Sequence, residues 1–494
     1  MNGLILTTTS LIMRGAGLIF NIYIANQVGQ EAIGIFSLVM SVYSFAITFA
    51  TSGISLACTC IVSEEFEKKD FTNGLRAVRT CVFFSLILGI SSSLILFLFV
   101  PIISSTWLNG SVSRVPIYAI SLGLPLISIS SVIGGYFSSV GKSYKSAISQ
   151  CFELLIKILA TAFLLKYSIN KGIDAICTSL ILGDVISEFF SFSLNLILYY
   201  FDRKKLGSYR SYTKEIGKRI FKITFPVAIT SYIRSGLSSL KQFLIPVRLQ
   251  TSGLNYSLAI SKYGLINGMV MPVLMFANFF ISSFSTLLVP EYSRLLAGKN
   301  FNRMKTVCNK IFDATFVFSF LVAGIFLFFA NELSLAIYQN LDAAPYIRLF
   351  APLVVFMYID NIIDSMLKGV NSQFGVMCIN ISDLLITILI IYFVVPILGV
   401  NGYVLSIFVS EIFNFIASLI LLKKKISFHF DFWSFCIRPC LIVFIAYWIS
   451  QLVTFSCDNF VVYVTLEVGI FALIYMFLLV VDHFVDGAKN DLCH

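Results

Sequence analysis

The sequence predicts an all-α integral membrane protein of about fourteen transmembrane helices, built as two parallel-repeat six-helix lobes followed by two C-terminal helices. Three observations carry this expectation. Of 494 residues, 58% are hydrophobic and 12% charged, about half the charge of an ordinary soluble domain, and the mean hydropathy is +0.91. Apolar stretches of the length that crosses a bilayer, about 20 residues, recur along the whole chain. The first half of the sequence also matches the second at one fixed offset.

The stretches fall near 4–26, 33–62, 77–101, 114–139, 147–168, 173–200, 224–248, 259–289, 305–330, 345–368, 375–397, 400–422, 433–455 and 459–482. Cations collect in alternate loops between them. Lys68, Lys69 and Arg76 follow the second stretch, Lys142 and Lys145 the fourth, and Arg203, Lys204, Lys205, Arg210, Lys214, Lys218 and Arg219 the sixth. Arg294, Lys299 and Arg303 follow the eighth, and Lys423, Lys424 and Lys425 the twelfth. The intervening loops at 27–32 and 331–344 hold none. The positive-inside rule then puts both termini and the basic loops in the cytoplasm, in a multi-pass protein of the cell membrane. The net charge of +10 is an orientation signal on this reading, and no nucleic-acid partner is expected.

The repeat is read by setting the segment from Gly34 against that from Gly264, 230 residues on. Ser55 meets Ser285, Ser63 meets Ser293, Lys69 meets Lys299 and Phe71 meets Phe301. Further down the chain the same offset places Glu153 opposite Asp383. Six helices per repeat give both lobes one orientation, so substrate is expected near the midplane between them. The expected division is an N-lobe at 1–201, a cytoplasmic basic linker at 202–223, a C-lobe at 224–424, and two more helices with a short cytoplasmic tail at 425–494.

Eleven Cys without a CxxC spacing, and three His (His429, His483 and His494) near the C-terminal end, predict no metal site. Arg14 interrupts the first apolar stretch and no small-residue cleavage site follows, so a cleavable signal peptide is not expected. No phosphate-binding loop or nucleophile elbow is present. The expectation is a protein that is not an enzyme, has no cofactor and does not use ATP directly.

Charges inside the spans are the candidate functional residues. The stretch FPVAITSYIRSGLSSLKQFLIPVRLQ carries Arg234, Lys241 and Arg248 seven residues apart, on one helical face. Each cation near a bilayer centre costs roughly 2.5–3.5 kcal/mol. Arg248 and Lys241 can snorkel outward, whereas Arg234 and the lone Arg14 read as bordering a water-filled cavity or an anion. Glu153 and Lys157 are spaced to pair along one helix. Asp184 with Glu188, and Asp360 with Asp364, repeat that spacing with two acids, and Asp383 and Glu411 stand singly. Neighbouring carboxylates disfavour double ionisation, so proton or cation coupling competes with plain ion pairing for these acids. Pro226, Pro246, Gly264, Gly268 and Pro272 mark where helices seven and eight would bend.

Several segments resemble a known family. Thr9–Phe45, Gly135–Ile158, Phe243–Gly253 (FLIPVRLQTSG) and Phe284–Asn300 (FSTLLVPEYSRLLAGKN) are similar, in order and spacing, to the stage V sporulation protein B family. That family is related to the lipid II flippases of the multidrug/oligosaccharidyl-lipid/polysaccharide exporter superfamily. The resemblance implies translocation of an undecaprenyl-pyrophosphate-linked saccharide from the inner to the outer leaflet. It also implies that Arg14 stands where the flippases carry a first-helix arginine at the central cavity. The chain departs seven residues on, where an Arg-Asp pair is expected and Phe20-Asn21 is found. Pyrophosphate suits the guanidinium fork, so Arg14, Arg234 and Lys241 are the expected headgroup cations. The expected partners are the lipid-linked saccharide, membrane lipids and cell-wall polymerases. A cation-coupled multidrug antiporter of the same superfamily, and a non-transporting scaffold for a polymer synthase, are the competing readings.

Overall fold

The structure, a computed structural model, describes the backbone of residues 2–107, 110, 113–204, 214–426, 428, 431–453 and 458–492. Linker residues 205–213, with Lys205 and Arg210, and the histidines His429 and His494 lie outside the described residues, as does the side chain of His483. The described chain is helical with no strand.

The first two expected spans are two helices that follow each other within α1 (Asn2–Thr51), separated by a non-helical break at Gly29 with φ 79° and ψ 175°, a conformation open essentially to glycine. A second left-handed glycine, Gly53, ends that run and starts α2 (Ile54–Glu67). A β-carbon at Gly53 would meet the Thr224 carbonyl oxygen at 2.8 Å. Then follow α3 (Phe71–Ile102), α4 (Arg114–Ser139), α5 (Ser143–Ser168), α6 (Ile173–Lys204), α7 (Lys214–Thr251) and α8 (Tyr256–Tyr263). A π-helical stretch, Gly264–Val270, leads into α9 (Met271–Phe276) and α10 (Asn278–Ala297). The eighth expected span, 259–289, is therefore interrupted rather than continuous. The remaining helices are α11 (Phe301–Phe328), α12 (Ala330–Tyr338), α13 (Ala344–Gly369), α14 (Gln373–Phe393), α15 (Val395–Leu398), α16 (Val400–Lys425), α17 (Arg438–Ser450) and α18 (Phe460–Leu492).

Twelve helices among the described residues are long and apolar enough to cross a membrane, against fourteen expected. Two differences account for this. The two helices on either side of Gly29 are counted together, as the 56 residues Ile12–Glu67, and α7 is absent from the twelve because its cations and hydroxyls depress its hydropathy.

The chain divides into two compact units, one of residues 1–264 with 388–403 and one of residues 265–387 with 404–494. In the first, α2, α3 and α4 bury Ile54, Val62, Val78, Val132 and Phe137 together, and α7 adds Ile216 and Ile220. The buried Asp202 near the end of α6 receives Lys142 and Lys145, each at 2.7 Å, and the Tyr136 hydroxyl at 3.0 Å. Three donors on one carboxylate satisfy a group that would be costly to bury alone. α7 is tied to α2 by Arg219, whose guanidinium reaches Glu64 at 2.5 Å and Glu65 at 2.8 Å.

In the second unit, α13 lies against α10 and α11. The hydroxyls of Tyr338 and Tyr358 donate to the carbonyls of Met269 and Leu274 at 2.9 and 2.6 Å. These bonds supply partners at the irregular turn, where the regular helical ladder is interrupted. A separate core joins α11, α12, α17 and α18 through Phe329, Val443, Ala446, Phe471 and Tyr475, with Phe328 stacked on Tyr447 at 3.9 Å.

Local backbone repeats at the same 230-residue offset found in the sequence. Lys69 and Lys299 both adopt positive φ, 59° and 53°. Each precedes an N-cap, Asp70 accepting from the Asn73 amide and Asn300 from the Arg303 amide. Gly141 and Asn371 are likewise both left-handed. The turn-and-cap pattern that starts α3 thus starts α11.

Candidate functional site

The first unit carries a polar cluster within apolar spans. From α1 the Tyr43 hydroxyl lies 2.5 Å from both carboxylate oxygens of Glu188 on α6. One turn away on α6, Asp184 pairs with Lys157 of α5 at 2.5 Å. Glu153, one turn before Lys157, accepts instead from Ser191 of α6 at 2.7 Å. The expected Glu153–Lys157 pair is thereby corrected: Lys157 reaches across to α6, where a fully buried acid attracts it more strongly than a neighbour already hydrogen-bonded. Gly123 on α4 makes room, since a β-carbon there would lie 3.0 Å from a Glu188 oxygen. Three carboxyl groups face one ammonium group, so two negative charges lack a cation of the cluster if all ionise. Uncompensated charge at low dielectric is costly, and a proton or small cation relieves it.

The second unit holds a different set. Asp383 on α14 accepts from Ser410 of α16 at 2.6 Å. Its repeat counterpart Glu153 likewise takes a serine from the following long helix. On α13, Asp364 meets Lys368 at 3.7 Å, Asn361 accepts from Ser285 at 3.1 Å, and one oxygen of Asp360 is buried without a hydrogen bond. Glu411 is half-buried on α16.

The cations are displayed differently. Tyr232, Ser235 and Ser239 of α7 donate to Phe49, Thr48 and Ser41 of α1 at 3.1, 3.2 and 2.8 Å. That face anchors α7. Arg234 and Lys241 lie roughly 140° round the helix from it, and neither has an ion-pair partner among the described residues. Arg234 is exposed and Lys241 half-buried. Arg248 instead stacks its guanidinium on the Tyr392 ring at 3.7 Å, a packing role. Arg14 is exposed on the first segment of α1, away from the α7 contact at residues 41–53.

Sequence reasoning did not single out Tyr43 or the Arg219 clamp. Their partners are far off in the chain, and no local spacing links them.

Residues 1–296 match the family model described as polysaccharide biosynthesis protein, and residues 252–393 match that of MatE. Across 99% of its length the chain is 23% identical to stage V sporulation protein B of Bacillus subtilis (strain 168), spanning 96% of that protein. It is 21% identical to the lipid II flippase MurJ of the same organism, with 86% of this chain and 82% of that one covered. A solved structure of lipid II flippase MurJ in an inward closed conformation superposes with TM-score 0.69 at 15% identity, covering 99% of this chain and 100% of that one. An inward-facing multidrug resistance MATE family transporter of the MOP superfamily gives 0.62 at 14%, covering 85% and 94%. The solved structures fix the fold, and the relatives agree with the resemblance read from the sequence.

Proposed function

The chain belongs to the polysaccharide biosynthesis protein family, and from that premise we propose that it is a flippase for an undecaprenyl-pyrophosphate-linked saccharide. It carries this lipid from the inner to the outer leaflet by alternating access, for cell-wall, spore-cortex or polysaccharide synthesis. The observation that carries the reading is the unpaired cationic face of α7. Arg234 and Lys241 lie on the side of α7 away from its anchored face, within the apolar stretch 224–248 of the sequence, with no ion-pair partner among the described residues. A pyrophosphate headgroup supplies the missing negative charge. Arg14, exposed on the first segment of α1, is the third headgroup cation of this reading.

On this reading both termini and the basic loops are cytoplasmic, the repeats at 1–201 and 224–424 act as the two lobes, and cell-wall polymerases take the product. The acids Glu153, Asp184 and Glu188, with Asp360, Asp364, Asp383 and Glu411, serve as coupling or structural groups.

One observation favours a second reading, a cation-coupled antiporter: the excess of carboxyl groups around Tyr43 and Lys157. The same cluster serves a flippase as the site where a proton or cation drives the cycle. Arg14→Ala and Arg234→Ala, made separately, distinguish the two. The flippase reading expects normal expression with accumulation of the lipid-linked precursor in cells. Unchanged precursor at unchanged expression would remove the headgroup clamp and favour the antiporter.

A further inference from the structure

Helix α8 meets α1 backbone to backbone. A β-carbon on Gly264, the residue after α8, would collide with the Gln30 carbonyl oxygen and lie 2.8 Å from the Gly34 Cα. One on Gly34 would collide with the Ile260 carbonyl oxygen. Gly34 and Gly264 are counterparts at the 230-residue offset, and so are Gln30 and Ile260. The contact is therefore reciprocal, each glycine facing the carbonyl four residues before the other glycine, as in an isologous interface. Small residues let helices approach this closely, and two glycines offer no side chain to unmesh when they part.

Both partners lie at the end of the spans away from the basic loops. Gly34 follows the cation-free stretch 27–32, and α8 follows the turn at 252–255. Only eight residues long, α8 hangs between two soft points. Gly253 before it is left-handed, with φ 101°. The π-helical Gly264–Val270 after it is a bonding pattern common at functional sites. By contrast α7 is a single helix of 38 residues, fastened at several levels. Arg219 holds Glu64 and Glu65, and Tyr232, Ser235 and Ser239 bond to α1. The Ser261 hydroxyl of α8 reaches Gln30 at 3.3 Å and that of Tyr263 reaches Gln242 of α7 at 3.1 Å. Both bonds are longer than the usual range of about 2.5–3.0 Å for a hydroxyl donor.

We propose that α8 is an outer lid and that the reciprocal glycines are its catch. The lid rests on the flippase reading and the orientation proposed above. A saccharide headgroup leaving at the outer end finds no room where two helix backbones touch, so α8 has to move. It swings about Gly253 and the Gly264–Val270 stretch, hinges at element ends as lids commonly have. Throughout, α7 keeps its hold on α1 and α2. Opening then involves the eight residues of α8 rather than rotation of the whole second repeat, and any side chain added at the catch holds the lid ajar.

The test locks one helix at a time in the full chain. Gln30→Cys with Ser261→Cys joins α8 to α1. Thr48→Cys with Ser235→Cys, whose hydroxyls stand 3.2 Å apart, joins α7 to α1. Each pair is bridged in cells by a short bis-methanethiosulfonate, and bridging is read by peptide mass spectrometry. Bridging the α8 pair is expected to accumulate the lipid-linked precursor, and reduction to clear it, whereas bridging the α7 pair leaves export running. Continued export with the α8 pair bridged would overturn the lid. Arrest by the α7 pair as well would replace it with rotation of the whole repeat. A second readout needs no transport. With Gly264→Val added, Ser261→Cys in intact cells should react with an impermeant maleimide about tenfold faster, the shift an overpacked contact gives a two-state equilibrium. Gly34→Ala makes a smaller demand on the fold and gives a smaller rise. Unchanged labelling in a folded variant would overturn the proposal too. Faster labelling with unchanged precursor in the Arg14 and Arg234 variants would keep the lid and remove the headgroup clamp.

Discussion

Replacing Lys157 by Met tests the polar cluster most directly. The ammonium sits 2.5 Å from Asp184, with the lysine side chain 32% exposed and that of the aspartate 7%. Removing one partner of a fully buried pair costs roughly 3–5 kcal/mol, because the other charge is stranded. Lysine's partial exposure trims this, and about 2–3 kcal/mol is expected. The double variant Lys157→Met, Asp184→Asn removes both charges and should return to within about 1 kcal/mol of the parent. Unfolding of the detergent-purified chain, followed for the parent, both single variants and the double variant, gives the coupling energy. A double variant no more stable than Lys157→Met alone would mean that the two residues do not compensate each other, and the assignment of this pair would be wrong.

Tyr43→Phe removes the hydroxyl that binds Glu188 and should cost about 1.5–3 kcal/mol in the same unfolding assay, as for hydrogen bonds to charged groups. Arg219→Gln releases Glu64 and Glu65 from α7, but the guanidinium is 41% exposed, so the loss should stay within about 1 kcal/mol and shrink in high salt. Hydrogen bonding to Glu65 holds the Arg219 guanidinium above its ordinary range, and bonding to Glu64 does the same for Lys68. Both cations thus contribute fully below their unfolded values and lose that contribution only at strongly alkaline pH. The difference between parent and Arg219→Gln should not change between about pH 7 and 9, and a change there would reject this account. Arg248→Lys keeps charge but loses the planar stack on Tyr392, with a loss of about 0.5–2 kcal/mol. Tyr392→Phe should be near neutral by comparison, and equal losses in the two would implicate the tyrosine hydroxyl instead.

Helices and repeat were legible because they are written in local pattern. Apolar runs mark the spans, and Lys69-Asp70 and Lys299-Asn300 mark the same turn and cap at the repeat offset. The break at Gly29 falls in the loop 27–32 that the sequence leaves between the first two spans, whereas Gly53 was less legible, because it lies inside the expected span 33–62. The cluster was legible only in part. Acid spacing on α6 singled out Asp184 and Glu188, but the partner of Lys157 was misread. Helical spacing ranks Glu153 first, whereas side-chain reach between α5 and α6 decides. Tyr43 and Glu188, 145 residues apart, share no period that a single sequence exposes.

The shared turn-and-cap scaffold has a consequence for what the two repeats have in common. Lys157, Asp184 and Glu188 correspond at the 230-residue offset to Thr387, Asn414 and Ser418, while Asp360, Asp364 and Glu411 correspond to Ser130, Gly134 and Ile181. Only Glu153 and Asp383 keep acid for acid. The two halves thus share a frame but not their ionisable positions, so neutralising Lys157, Asp184 or Glu188 has no counterpart change in the second half.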